Sequence, residues 1–196
     1  GRLTPLWAMA YPEYYNEWVN SQLLVYKDAG WLGDGIANSK YVSGVGTNMV
    51  SIAIAGAYNS GIRDFDIATA YEAALKNELC SDNRIEGAGK MDVGQFVEKG
   101  YVPFDDSIFY GTHRGGSQFS VSHTVEYSFS AYAVAQLAKA LGKEADYKQL
   151  MALSNGWAKL FDDDLKMVRP RVANGDFIDH FNPLESWRGF QEGNAF

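Results

Sequence analysis

The stretch Ser122–Leu141, SHTVEYSFSAYAVAQLAKAL, decides the fold class. Val125, Phe129, Tyr132, Ala133, Gln136, Leu137 and Ala140 recur at the 3.6-residue period of an α-helix, and Gly142 stops the run. The same signals recur on either side. Pro12 suits a first helical position, where its missing N–H costs nothing, and Trp18, Val19, Gln22, Leu23 and Tyr26 share a face until Gly30. A helix over Thr47–Ser60 carries Ala53, Ala55, Gly56 and Ala57, small residues that let helix axes approach closely. Gly61 ends it. Asp66 is placed to cap the next, with Ile67, Tyr71, Ala74 and Leu75 as its stripe. Asp92 is placed to cap a short helix through Lys99, and Lys143–Phe161 reads as another. Residues 31–46, 80–91, 100–120 and the end of the chain read as loops rich in Gly and Pro.

No stretch shows sustained β alternation, so the predicted class is all-α. Five or six helices, several joined by short loops, imply antiparallel neighbours. They share no heptad. The arrangement expected is an incomplete toroid of helical hairpins whose long loops gather on one rim.

Composition narrows the function. The 196 residues are 46% hydrophobic and 21% charged, as in a globular protein. A net charge of −7 argues against a nucleic-acid binder, which needs a basic surface. No apolar run approaches the roughly 20 residues of a membrane span. Cys80 is alone, so no internal disulfide or Cys-rich zinc site is expected, and His113, His123 and His180 lie far apart. Asp162-Asp163-Asp164 lacks the Gly and distal Glu of an EF-hand loop and reads as a solvated turn. With 12 Tyr and 5 Trp, the chain is rich in the aromatic faces that sugar sites use.

Seven ordered segments carry a resemblance. They are Gly30-Trp31-Leu32-Gly33-Asp34-Gly35, Lys40-Tyr41-Val42-Ser43-Gly44-Val45-Gly46-Thr47-Asn48, Gly61-Ile62-Arg63-Asp64-Phe65-Asp66, Tyr71-Glu72-Ala73-Ala74-Leu75-Lys76, Gly100-Tyr101-Val102-Pro103, Thr124-Val125-Glu126-Tyr127-Ser128-Phe129 and Gln191-Glu192-Gly193-Asn194-Ala195. Together they resemble family 92 glycoside hydrolases. That resemblance implies an N-terminal β-sandwich followed by an (α/α)6 barrel, and calcium-dependent removal of terminal α-linked mannose with inversion. Residues 1–196 would be the N-terminal portion of the barrel. The sandwich would lie before Gly1; the general base and most calcium ligands would lie beyond Phe196. A secreted or periplasmic bacterial enzyme acting on α-mannoside glycans is implied. The rest of the parent polypeptide, or an oligomer, would cover the exposed helix flanks.

Glu192 is the expected general acid, by its resemblance to the family's Glu-Gly-Asn segment. Its neighbours agree: Gly193 permits close backbone approach to a ligand, and Asn194 can hydrogen-bond a hydroxyl. Partial burial near Trp187, Phe190 and Phe196 would favour the protonated carboxyl. Two readings are open for the loop at 31–46. In one, Asp34 and Lys40 accept or donate to sugar hydroxyls while Trp31 or Tyr41 offers a ring face. In the other it is a tight turn over a core Trp. Glu126 is a candidate to support the site from the barrel's inner lining, or a carboxylate satisfied by Arg or loop N–H groups. No metal motif is visible within the chain. The alternatives to an enzyme are a non-catalytic carbohydrate-binding or scaffold module and an inactive truncated fragment.

Overall fold

The computed structural model describes residues 3–33, 35–37, 40–42, 47–85, 87–108 and 117–195, with 36, 37 and 40–42 described by their backbone alone. Seven α-helices lie among them: α1 Thr4–Ala10, α2 Pro12–Ala29, α3 Met49–Asn59, α4 Ile67–Leu79, α5 Val93–Lys99, α6 Ser120–Ala140 and α7 Glu144–Ser154. No helix among the described residues is long and apolar enough to cross a membrane.

α6 is the axis of the packing, in contact with α3, α4 and α7. The helix lies where periodicity places it, but its buried face differs from the stripe read in the sequence. Val125, Phe129 and Tyr132 are exposed, while Val121, Thr124, Tyr127, Ser128, Ala131, Val134 and Ala138 are buried. Hydroxyl side chains explain the inversion. Thr124 donates to the Ser120 carbonyl at 2.7 Å and Ser128 to the Thr124 carbonyl at 2.7 Å, so they enter the core already satisfied.

The other helices follow from their sequences more directly. α2 starts at Pro12 and ends at Gly30, whose φ of 75° is the left-handed conformation of a helix stop. Its buried residues Val19, Leu23 and Tyr26 face the core, and Tyr15 donates to the Ala53 carbonyl at 2.6 Å. The small residues of α3 permit that approach: a Cβ at Gly56 would stand 3.4 Å from the Tyr15 hydroxyl. Asp66 caps α4, accepting from the Thr69 N–H at 3.1 Å.

Five local expectations are corrected. α3 begins at Met49 rather than Thr47, and α7 ends at Ser154, giving way to a 3-10 turn over Gly156–Leu160. Two short antiparallel hairpins are present: β1 Gly35–Ala37 with β2 Lys40–Val42, and β3 Phe161–Asp162 with β4 Met167–Val168. Each is too short to show alternation. Asp92 precedes α5 without capping it, because its carboxylate bonds His123 instead. Asp162 is buried, not solvated, and holds the following turn through the N–H groups of Asp164 and Leu165.

Candidate active site on one rim of the helices

The residue before α3, the last turn of α4 and the middle of α6 meet in a buried cluster. Asn48, before α3, donates to Glu78 near the end of α4, and Ser130 of α6 donates to the same carboxylate at 3.2 Å. The start of the Gly30–Gly46 loop is pinned there too. Lys76 donates to the Gly30 carbonyl at 2.6 Å, and Asn77 exchanges hydrogen bonds with the Leu32 backbone at 3.0 and 3.3 Å. Segment 187–195 is held to the first turn of α6.

The cluster is part of a polar layer. Lys90 and Glu78, both inaccessible to solvent, form an ion pair. Burial pulls the Lys90 ammonium below its ordinary range, with Glu78 opposing. Next to it, Asp92 contacts His123 Nδ1 at 2.6 Å, and the Tyr127 hydroxyl accepts from the Met91 N–H at 2.9 Å. Burial pushes the Asp92 carboxyl above the usual carboxylate range, against the opposing pull of His123 and Arg84. His123 Nε2 is buried with no hydrogen-bond partner among the described residues. Sequence reasoning did not single out this layer. One signal was available for Glu78: it continues the buried stripe of Tyr71 and Ala74 on α4, where a charge demands a partner.

The expected site residues separate. Glu192 is exposed at a φ of 54°, a left-handed conformation uncommon outside glycine. The burial expected around it is not supplied by the described residues, and Phe196 lies outside them. Trp187 is 46% exposed at a φ of 69° and meets Phe119 edge-on at 5.7 Å. Asn194 is half-buried on the same segment, and Glu126 is half-buried on α6. Trp31 is buried, its indole N–H donating to the Asn83 carbonyl at 3.2 Å and its ring lying under the Lys76 ammonium at 4.4 Å. It is built as the core residue of a tight turn. Asp34 and the side chains of Lys40 and Tyr41 lie outside the described residues.

The donors do not fit calcium. Among the described residues no three Asp, Glu, His or Cys side chains converge as metal ligands. The buried carboxylates Glu78, Asp92 and Asp162 are committed to Lys90, His123 and Arg169.

Glu192 stands exposed on a segment held to the first turn of α6. Residues 2–196 match the glycosyl hydrolase family 92 catalytic domain. The chain belongs to this family. An uncharacterized secreted glycosidase of Arthroderma benhamiae is 36% identical over 183 residues, which are 91% of this chain and 22% of that protein. An inverting mannosidase of family 92 from Bacteroides thetaiotaomicron shares the fold with a TM-score of 0.87 over 98% of this chain, at 21% identity. A family 92 α-mannosidase of the same organism gives a TM-score of 0.80 at 27% identity, again over 98% of this chain. The chain spans 25% and 24% of those two structures. Its fold is thus all-α and part of the α/α barrel of family 92 catalytic domains.

Proposed function

We propose that this chain contributes the general acid and one wall of the sugar pocket to an inverting, secreted α-mannosidase, as the N-terminal portion of its barrel. The observation that carries the reading is Glu192 itself. It stands exposed, within reach of a substrate, in a Glu-Gly-Asn segment that resembles the family's. The family and its mannosidase neighbours supply the reaction class.

In the proposed reaction the protonated Glu192 carboxyl gives its proton to the glycosidic oxygen as the C1–O bond breaks, and that oxygen keeps the bonding pair. Water adds to C1 from the opposite face and loses a proton to a second carboxylate, roughly 6.5–9.5 Å away, supplied by the remainder of the polypeptide. Asn194, Asp34, Lys40 and Tyr41 bind sugar hydroxyls or the ring face, Trp31 supports their loop from below, and Glu126 and Trp187 shape the surroundings. The remainder of the polypeptide also supplies the ligands of calcium.

The test is Glu192→Gln in the complete protein. Turnover of an α-mannobioside should fall by about 10²–10⁴-fold while mannose still binds. NMR of the unmodified enzyme should show β-mannose as the first product. Turnover retained by the variant, or α-mannose released first, would overturn the reading.

A further inference from the structure

The loop that carries Glu192 and the first turn of α6 complete one another. The N-cap residue of α6, Phe119, makes no side-chain capping bond, and no acidic side chain stands in the first turn. The Gly189 carbonyl takes that role, accepting from the N–H groups of Val121 at 2.9 Å and Ser122 at 3.2 Å. Gly189 in turn donates to the Gln118 carbonyl at 2.6 Å. Only glycine suits the position: its φ is 93°, and a Cβ there would collide with the Pro170 ring.

Two residues on, the Gln191 N–H donates to the Ser122 hydroxyl at 2.9 Å, across 69 residues of sequence. Phe190, between these two anchors, is buried with Tyr101, Val121 and Leu160. Downstream, the Ala195 N–H donates to the Pro183 carbonyl at 3.1 Å. The nitrogen held by Ser122 stands one residue before Glu192. The left-handed turn of Glu192 follows directly, with Gly193 beyond it.

We propose that Ser122 is a positioning residue for the acid: by accepting the Gln191 N–H it sets the backbone angle from which the Glu192 carboxyl reaches the leaving oxygen. The proposal rests on the reading of Glu192 as the acid. Ser122 touches no reacting atom in this scheme. Its effect is confined to proton delivery, and a misplacement of about 1 Å is enough to cost on the order of 10²-fold.

The experiment uses the complete protein and two substrates. The leaving oxygen of 2,4-dinitrophenyl α-mannoside departs without a proton, whereas that of an α-mannobioside requires one. Ser122→Ala should lower kcat on the disaccharide by about tenfold to a hundredfold, with KM little changed, and leave turnover of the dinitrophenyl substrate near that of the parent. Ser122→Thr, which keeps the hydroxyl, should restore the disaccharide rate. Ser122→Val, nearly isosteric with threonine, should not, and this pair decides the matter if Ser122→Ala fails to fold. Equal losses on both substrates, unchanged rates on both, or equal behaviour of the Thr and Val variants would overturn the proposal. Glu192→Gln on the same substrates separates the two ideas. If it shows no dependence on the leaving group, the acid assignment itself fails; if it shows that dependence and Ser122→Ala does not, only the role of Ser122 fails.

Discussion

Lys90 and Glu78 form an ion pair with neither side chain accessible to solvent, at the point where α4 and α6 meet. Asn48 and Ser130 donate to the same carboxylate, and the ammonium lies 5.0 Å from the Tyr127 ring centroid. Desolvating two charges is expensive, so the pair is worth most as a matched set. Lys90→Met should destabilise the complete protein by about 3–5 kcal/mol, and the double variant Lys90→Met/Glu78→Leu should recover much of that loss. In Glu78→Gln the depressed Lys90 ammonium loses its partner. Because its folded pKa lies below the ordinary 10.5, stability of that variant should rise as pH climbs towards that value. Urea unfolding of the parent, Lys90→Met, Glu78→Leu and the double variant checks the cycle. Simple additivity would dismiss the buried-charge account.

Asp162 gives a pH dependence of the same sign, but in the acid range. Its hydrogen bond from Arg169 at 2.9 Å, helped by the N–H groups of Leu165 and Asp164, holds its carboxyl below the ordinary value of 3.8. A carboxylate with a lowered folded pKa stabilises above its unfolded value, and the contribution vanishes as pH falls through the folded one. Asp162→Asn should therefore melt earlier than the parent at about pH 7 and converge with it at about pH 2. A constant difference in Tm across that range would mean that the shape of the turn matters and the charge does not.

Gly156 and Gly175 should respond differently to the same substitution. A Cβ at Gly156 would meet the Gly100 carbonyl and stand 3.0 Å from both Phe96 and the Ser128 hydroxyl. Gly175 has open space around it but a φ of 98°. Gly156→Ala should cost about 1–3 kcal/mol through overpacking. Gly175→Ala should cost only about 1 kcal/mol, from backbone strain. Equal melting temperatures for the two variants would contradict the distinction.

Local chemistry explains which parts of the molecule were readable. The capping of α4 by Asp66 and the stops at Gly30 and Gly142 depend on neighbouring residues, and they stand where sequence places them. The face of α6 was not readable, because its inward Ser and Thr hydroxyls bond to their own helix and behave as small core residues. The burial of Trp31 depends on Asn83 and Lys76, which lie 52 and 45 positions away. Glu192 enters as a candidate only through the Glu-Gly-Asn resemblance. Neither its left-handed φ nor the Ser122 anchor leaves a local trace, since both arise from contacts across the fold.

The misread face of α6 leads to the last prediction. Val125, Phe129 and Tyr132 are 41%, 53% and 49% exposed, and Trp157 beside them is 45% exposed. With Met151 they border a groove of about 510 Å³. Scattered exposed apolar residues are ordinary, but a contiguous aromatic patch calls for a cover. The chain spans 22% of its curated relative, and the proposed remainder of the barrel would supply one. Phe129→Ser in the complete protein should then behave as a core substitution and lower stability by about 3–5 kcal/mol, as a large-to-small change does. On a solvated face the same change should stay within about 0.5 kcal/mol. Urea unfolding followed by Trp fluorescence separates the two outcomes, and a neutral result would show that this face is solvated.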